Sequence, residues 1–309
     1  MIFDMSCYPT KVVDYAWQHD GDPFTGERLL EMMDGPYLVN GKQRRVDKAF
    51  IQPPQGNTVH TWLDGDIHGR EAIDHYTKYT LELTQQYPDR LYGCFVYNPR
   101  WGVENGVQAI EDYATKHNFK MVQFQANMHA YRPDRAKDWI RPALKKCEEL
   151  GLLVKLHTGD GPYSIPNEWT PIIYEFPKIN FIMAHFGVQT GGVYCFEPFQ
   201  LAMDNANVYC ESGWCLQRRI VEVAKDLPKH KTMLGTDTPP NEPGMWIRLL
   251  EVLCHEPPQG MNLDEDMLED YLGNNLCRMI GIEPTPPPRN VEEAEARLKD
   301  TYAGVRRAG

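Results

Sequence analysis

The chain has 309 residues, of which 42% are hydrophobic, and a formal net charge of −11 at pH 7. This composition suffices for one large core, and the acidic balance excludes the basic stripe that marks most nucleic-acid-binding proteins. No apolar run approaches the roughly 20 residues of a membrane span, and the 8 cysteines form no CxxC pair. We therefore expect a soluble cytoplasmic protein with reduced thiols that binds neither nucleic acids nor membranes.

Short apolar runs alternate along the chain with stretches of helical periodicity. In order, the runs are MIFDMS, VDKAFIQ, LYGCFVYN, KMVQFQ, LLVKLHT, INFIMAHF, NVYCESG and KTMLGTD. Between them, VENGVQAIEDYATKH and AKDWIRPALKKCEELG place apolar residues three and four positions apart, as amphipathic helices do. This alternation is typical of a parallel sheet with crossover helices, and eight strands close a barrel. The sequence thus predicts an α/β protein with the (β/α)8 architecture of a TIM barrel.

Two long segments interrupt this pattern after the first and second predicted strands. Residues 14–45 and 53–70 are rich in charge, glycine and proline, and we expect them to form loops over the barrel mouth, where active sites are built. We assign residues 1–282 to the barrel domain. Residues 283–309 are predicted to form a proline-rich linker, EPTPPPRN, and a helical tail.

Four side chains that ligate metals or transfer protons end the last four predicted strands. They are His157, His185, Glu211 and Asp237. Because the carboxyl ends of barrel strands meet at one face, we expect these side chains to converge on a shared site. Taken singly, each has a structural explanation; Asp237, for example, could cap the next helix.

The order of FVYNPRWG, VKLHTG, FIMAHFG, MLGTDTP and YLGNNLCRMIGI resembles that in the amidohydrolase-related enzymes, typified by aminocarboxymuconate-semialdehyde decarboxylase and the resorcylate decarboxylases. The resemblance covers roughly residues 1–282. It implies an amidohydrolase-superfamily barrel whose divalent metal is held by a first-strand His-x-His pair, a fifth-strand His and an eighth-strand Asp. On this chain it assigns His157 and Asp237 to the metal, and His185 to acid/base catalysis or ligation.

The first strand departs from that pattern. Asp4 is followed by Ser6 and Tyr8 at the two histidine positions, with Pro9 in place. Hydroxyl groups are poor ligands for most divalent transition metals, so the site must be completed in another way. In the first alternative, His185 and Glu211 join the other two ligands, giving two imidazoles and two carboxylates suited to zinc, manganese or iron.

In the second alternative, the mouth loops supply further donors. The candidates are His19, Asp20, Asp22, His60, Asp64, Asp66, His68 and His129. Enough of them would hold two ions, so a non-haem di-iron monooxygenase on the same barrel is the chief alternative function. In the third, the protein is a metal-free, lactonase-like hydrolase in which Asp237 is the base and His185, Arg100 and Arg132 act on the substrate.

We expect the substrate to be a small hydrophobic or aromatic molecule. Ser6, Tyr8, Gln123, Gln125 and Trp214 are the predicted contacts, and the period of two places both glutamines on one face of their strand. Aromatic residues that follow the strands would line the mouth. They are Trp62, Tyr97, Trp101, Tyr131, Tyr163, Trp169, Trp214 and Trp246.

The leading prediction is therefore a metal-dependent hydrolase or decarboxylase with one or two divalent ions. The ions would polarise a substrate oxygen or activate water, while His185 or Asp237 moves the proton. A barrel without catalytic activity is a further alternative. The resemblance and the helical tail favour a homodimer.

Overall fold

The computed structural model describes residues 1–12, 21–54, 67–187, 194, 196–215, 220–221, 225–227, 229–286, 292–293, 295–296 and 299. Most of the predicted linker and tail, residues 283–309, thus lies outside the described residues. Within the described ranges, no helix combines the length and the apolar character that a membrane span requires.

Eight parallel strands form one sheet in the order in which they occur along the chain. They are β1 (Phe3–Cys7), β2 (Lys48–Ile51), β3 (Leu91–Tyr97), β4 (Met121–Phe124), β5 (Leu153–Leu156), β6 (Phe181–Met183), β7 (Val208–Glu211) and β8 (Thr232–Met233). Seven of them lie within predicted apolar runs, and β1 extends one residue beyond its run, to Cys7. The predicted (β/α)8 barrel is confirmed.

Helices connect and cover the strands. They are α1 (Gly26–Asp34), α2 (Gly69–Gln86), α3 (Val103–Lys116), α4 (Lys137–Leu150), α5 (Thr170–Glu175), α6 (Phe196–Asp204), α7 (Pro243–Val252), α8 (Glu265–Glu269) and α9 (Asn275–Ile280). The two helices predicted from periodicity are α3 and α4. Helix α4 ends at Gly151, whose φ of 64° is in the left-handed region that glycine adopts without a Cβ clash.

The prediction of one long loop over residues 14–45 is wrong for its second half. Helix α1 lies there and buries Leu29, Leu30 and Met33. An antiparallel hairpin follows, pairing Tyr37–Val39 with Lys42–Arg44. Its two-residue Asn-Gly turn, at residues 40–41, has positive φ at both positions, as this hairpin type requires. The charged residues of this half lie mainly on the exposed faces of the helix and the hairpin. They obscured the short apolar stripe of α1 in the sequence pattern.

The barrel has separate inner and outer packing layers. Inside, Phe3, Phe50, Met121, Leu153 and Ile182 form one cluster with residues of α9, which lies across the N-terminal end. Outside, a second cluster packs the strands against the helices. Since side chains alternate along a strand, the residues two and four positions beyond the inner cluster also face the interior, nearer the mouth.

The barrel closes between β1 and the segment that follows β8. The Met5 N–H donates to the Leu234 carbonyl at 3.1 Å, and the Tyr8 N–H donates to the Thr238 carbonyl at 2.9 Å. Asp4 adds a side-chain link, because its carboxylate accepts from the Thr236 N–H at 3.0 Å and from the Thr236 hydroxyl. These bonds place the first strand beside the residues that follow the last.

Replacing Asp4 with Asn is expected to change how stability depends on pH. Burial raises the pKa of Asp4 to about 6 from an ordinary value of 3.8, although its hydrogen bonds lower it. The folded state therefore holds the Asp4 proton more tightly, and this stabilisation is present below about pH 4 and lost as the pH rises through 6. Relative to Asp4→Asn, the wild type should lose roughly 3 kcal/mol across that range.

Urea unfolding of both proteins at several pH values between 4 and 7 measures this difference. A difference in unfolding free energy that stays constant with pH would contradict the assignment.

Candidate active site

The four side chains predicted at the strand ends lie at one face of the barrel. His157 follows β5, His185 follows β6, Glu211 ends β7 and Asp237 follows β8. None of them exposes more than 4% of its surface. Their charges therefore act in a low-dielectric setting, where electrostatic interactions are stronger than in water.

His157 and His185 form the central contact. Their rings pack edge to face with centroids 4.9 Å apart, and His185 Nε2 lies 3.3 Å from His157 Nδ1. The other nitrogen of each ring meets an acceptor: His185 Nδ1 lies 2.7 Å from the Gly213 carbonyl, and His157 Nε2 lies 2.7 Å from Asp160 Oδ2. Because carbonyls and ionised carboxylates only accept hydrogen bonds, these contacts favour a proton on each outer nitrogen. The Asn127 amide nitrogen, 3.1 Å from His157 Nε2, then donates to Asp160 Oδ2 at 2.9 Å.

The two facing nitrogens then both present lone pairs when the rings are neutral. Lone pairs 3.3 Å apart repel each other unless a cation lies between them or one ring takes up a proton. Burial lowers the pKa of His157, the contact with Asp160 raises it, and His185 lowers it further. The imidazole pair is therefore arranged to hold one proton or to bind one cation.

This arrangement fits the divalent metal implied by the resemblance in one respect. Metal-binding histidines commonly donate their second ring N–H to a carboxylate or a carbonyl, as both do here. In the part of the chain that the structure describes, however, no group of three or more His, Cys, Asp or Glu side chains is placed to hold a metal. The ligand set of His157, His185, Glu211 and Asp237 stays a prediction, as do the identity and number of the ions.

Glu211 is held mainly by backbone groups. Its Oε1 accepts from the Gly213 N–H at 2.7 Å, and its Oε2 accepts from the His185 N–H at 3.2 Å. The carboxylate lies over Gly235, where a Cβ would approach Oε1 to 1.6 Å. Glu211 thus braces the segments that follow β6, β7 and β8, a role that its position in the sequence did not indicate.

Tyr8 and Asp237 form a second polar pair at the mouth. The Tyr8 hydroxyl donates to Asp237 Oδ1 at 2.7 Å. Burial and the charge of Asp237 raise the pKa of Tyr8 well above its ordinary value, so the phenol keeps its proton. Asp237, His185 and Trp214 have φ values of 63°, 63° and 58°, a strained region for non-glycine residues that is concentrated at functional sites.

Ser6, at the other histidine position, meets a buried lysine. Its Oγ accepts a hydrogen bond from Lys155 Nζ. Lys155 is fully buried and lies two residues before His157, so both side chains face the barrel interior. Lys155 was not among the predicted site residues, although its spacing of two residues from His157 indicates that both side chains face the same side of the strand.

Three buried amides complete the polar interior. Gln123 and Gln125 face inward, and Gln52, two residues beyond the inward-facing Phe50, joins them. The predicted contact of Gln123 and Gln125 with a substrate stays a prediction. In the described structure, the amide nitrogen and oxygen of each of the three glutamines have no hydrogen-bond partner. An unsatisfied buried polar group costs about 1–3 kcal/mol. We therefore expect these amide atoms to form hydrogen bonds with polar groups of a ligand or with water.

The remaining candidates have other environments. His129 is fully buried, and burial lowers its pKa to about 3, so its ring is neutral. Arg100 donates to the His129 and Ala130 carbonyls at 2.7 and 3.0 Å, and Arg132 pairs with Glu168 at 2.7 Å. These contacts give both arginines structural roles that the metal-free alternative did not foresee.

Besides His129, two of the predicted mouth-loop donors lie in the described part of the chain. Asp22 and His68 are exposed, and His68 precedes the first residue of α2. The others lie outside the described residues: His19, Asp20, His60, Asp64 and Asp66.

The predicted aromatic lining is wrong for at least two of its members. The Tyr97 hydroxyl donates to the Trp139 carbonyl in α4, and Trp101 stacks on Tyr76 of α2. Both rings therefore pack between the barrel and its helices, because Tyr97 has the outward parity of β3. Trp214 is partly exposed and lies three residues after the end of β7, and its prediction as a substrate contact stays a prediction.

The sequence model of the amidohydrolase family matches residues 18–282. No curated protein matches the chain. Among solved structures, 5-carboxyvanillate decarboxylase from Sphingomonas paucimobilis superposes with a TM-score of 0.62 at 14% identity, covering 91% of this chain and 99% of the other. The 2,6-dihydroxybenzoate decarboxylase from Rhizobium gives 0.62 at 13% identity, covering 91% and 98%.

A third structure contains a metal. The 5-carboxyvanillate decarboxylase from Novosphingobium aromaticivorans, complexed with manganese and 4-hydroxy-3-methoxy-5-nitrobenzoic acid, gives a TM-score of 0.60 at 14% identity and covers 83% of this chain and 80% of the other. At such identities, these three likenesses show a shared fold.

Replacing Glu211 with Ala should destabilise the protein even in the presence of a chelator. The substitution leaves two buried N–H groups without their acceptor, at about 1–3 kcal/mol each. Urea unfolding in EDTA measures the loss, and Glu31→Ala, on the exposed face of α1, is the control. Equal stability of the Glu211 and Glu31 variants would show that Glu211 is not a brace.

The imidazole pair should bind a divalent ion. We expect manganese, titrated calorimetrically into metal-free protein, to bind the wild type and the surface variant His75→Ala. His157→Ala should bind it at least about tenfold more weakly, since loss of a ligating group or its support typically costs 10–100-fold. Unchanged affinity in His157→Ala would exclude the imidazole pair as the metal site, and parallel titrations with zinc and ferrous iron give the preferred ion.

Proposed function

Because the chain belongs to the amidohydrolase family, we propose that it is a lyase that removes a carboxyl group from a small aromatic acid. The observation that carries the proposal is the imidazole pair, which is arranged to hold one proton at the barrel mouth. The names of the two decarboxylases with the same fold point to the same reaction class.

Decarboxylation requires the group that the pair provides. When the bond between the ring carbon and the carboxylate breaks, CO2 leaves and its electron pair stays on the ring carbon, which must then take a proton. In our proposal His185 donates that proton from Nε2. Before the transfer, the proton lies in the hydrogen bond between His185 Nε2 and His157 Nδ1. The Gly213 carbonyl and Asp160 keep both rings oriented, and solvent returns the proton after turnover.

Asp237 and Tyr8 act beside this pair. The Tyr8 hydroxyl fixes one carboxylate oxygen of Asp237, which leaves the second oxygen to accept a hydrogen bond from a ring hydroxyl of the substrate. A divalent metal held by His157 and Asp237 would polarise the substrate's oxygen atoms when bound, and His185 Nε2 would then carry the proton without sharing it. The manganese-bound relative supports such an ion here, without indicating which ion this chain uses.

The same residues also suit hydrolysis, in which the proton is taken from water. No observation among the described residues favours the di-iron monooxygenase, whose additional donors fall largely outside them. A small-molecule substrate, a homodimer and a cytoplasmic location remain predictions.

The reaction is tested by incubating the protein and manganese with 2,6-dihydroxybenzoate and 5-carboxyvanillate in D2O. We expect CO2 release, with deuterium on the ring carbon that carried the carboxyl group. His185→Ala should reduce the rate by roughly 100- to 10,000-fold, the range of a general acid, whereas the surface variant His75→Ala should match the wild type.

Two results would contradict the proposal. One is release of no CO2 from a panel of hydroxylated benzoates at any metal supplied. The other is an unchanged rate in a folded His185→Ala variant.

A further inference from the structure

Lys155 differs from the other buried cations that the structure describes. Lys231 donates to three backbone carbonyls at 2.7, 2.7 and 2.9 Å, those of Asn205, Ala206 and Val208. Arg44 is paired with the Glu269 carboxylate. Lys231 thus has an acceptor for each of its three N–H groups, and Arg44 has a counter-charge.

Lys155 has only one neutral partner among the described residues. Its Nζ donates to Ser6 Oγ, and no described carboxylate lies within ion-pair distance of it. An ammonium has three N–H donors, and burying it without a counter-charge costs several kcal/mol. A fully buried ammonium in this condition lacks a counter-charge, because the buried carboxylates that the structure describes nearby, those of Asp4, Glu211 and Asp237, are engaged with other partners.

The neighbouring strand offers hydrogen-bonding groups at the same level. Gln123 of β4 is the register partner of Lys155 of β5, and both are two residues beyond members of the inner cluster. Gln123 is fully buried, and neither polar atom of its amide has a partner in the described structure. An ammonium, a hydroxyl and an amide thus face one region of the interior.

We propose that Lys155, Ser6 and Gln123 form a carboxylate-binding site at the floor of the barrel mouth. The assignment of this carboxylate to the substrate rests on the proposed function. Lys155 supplies the charge, and the Ser6 hydroxyl and the Gln123 amide N–H donate to the carboxylate oxygens. Ser6 occupies the first of the two positions where the family carries its His-x-His pair. The Lys155 ammonium therefore lies beside a position that holds a metal ligand in the family.

A carboxylate fits this site better than a phosphate. The site has one cation and a small number of neutral donors, which match one negative charge on two oxygens. A phosphate dianion with more oxygens would normally require further cations or a set of backbone N–H donors.

Binding of benzoate and its neutral isostere benzamide tests the proposal without any turnover. Calorimetric titration should show that the wild type binds benzoate about 10- to 100-fold more tightly than benzamide, the range of one charge-assisted hydrogen bond. Lys155→Met should abolish this preference, and Lys155→Arg should keep part of it. Ser6→Ala should reduce it less than Lys155→Met does.

Stability separates this role from a structural one. Lys155→Met removes a buried charge without a partner, so its melting temperature should equal or exceed that of the wild type. Lys231→Met is the matched control, because it leaves three buried carbonyls unsatisfied and should melt at a lower temperature. The Lys231 variant should nevertheless keep the preference for benzoate.

Three outcomes would overturn the proposal: equal binding of benzoate and benzamide by the wild type, a full preference for benzoate in Lys155→Met, or equally tight binding of inorganic phosphate at the same site. Failure of the CO2 assay together with a preference for benzoate that depends on Lys155 would reject the proposed reaction and leave the carboxylate site standing.

Discussion

Closure of the barrel between its first strand and the segment after its last is the constraint on which the site depends. Met5 and Tyr8 donate backbone hydrogen bonds to residues more than 220 positions later, and Asp4 reaches Thr236 with its side chain. A closed sheet has no free edge, so the strand order determines which side chains face one another across the interior. The two contacts that define the mouth, between Tyr8 and Asp237 and between Ser6 and Lys155, both require this closure.

Much of the fold was predictable because strands buried on both faces appear as continuous apolar runs. The positions of His157, His185, Glu211 and Asp237 followed from the same rule, since a parallel barrel brings its strand ends together. Helix α1 and its hairpin were missed because nine residues of helix give little periodic signal within a charged segment. The hairpin, by contrast, had a local signal in its Asn-Gly pair at residues 40–41.

The environments of the site residues were harder to predict than their positions. A sequence shows that Glu211 ends a strand, but one of its two backbone hydrogen bonds comes from residue 185, on the segment that follows the neighbouring strand. Lys155 illustrates the opposite case. Its inward direction was implied by the period of two, yet a lysine in a β-strand is ordinarily expected to reach solvent, and only the closed barrel shows that its charge stays inside.

The left-handed backbone of His185, Trp214 and Asp237 limits how this mouth can diversify. Valine, isoleucine and threonine are strongly disfavoured at such φ values, whereas glycine, asparagine, aspartate and histidine are tolerated more readily. A library that randomised these positions would therefore yield a narrow set of folded members, rich in polar residues. Variation in chemistry among barrels with this mouth would then fall on strand positions such as 6 and 155, where the backbone does not restrict the residue type in this way.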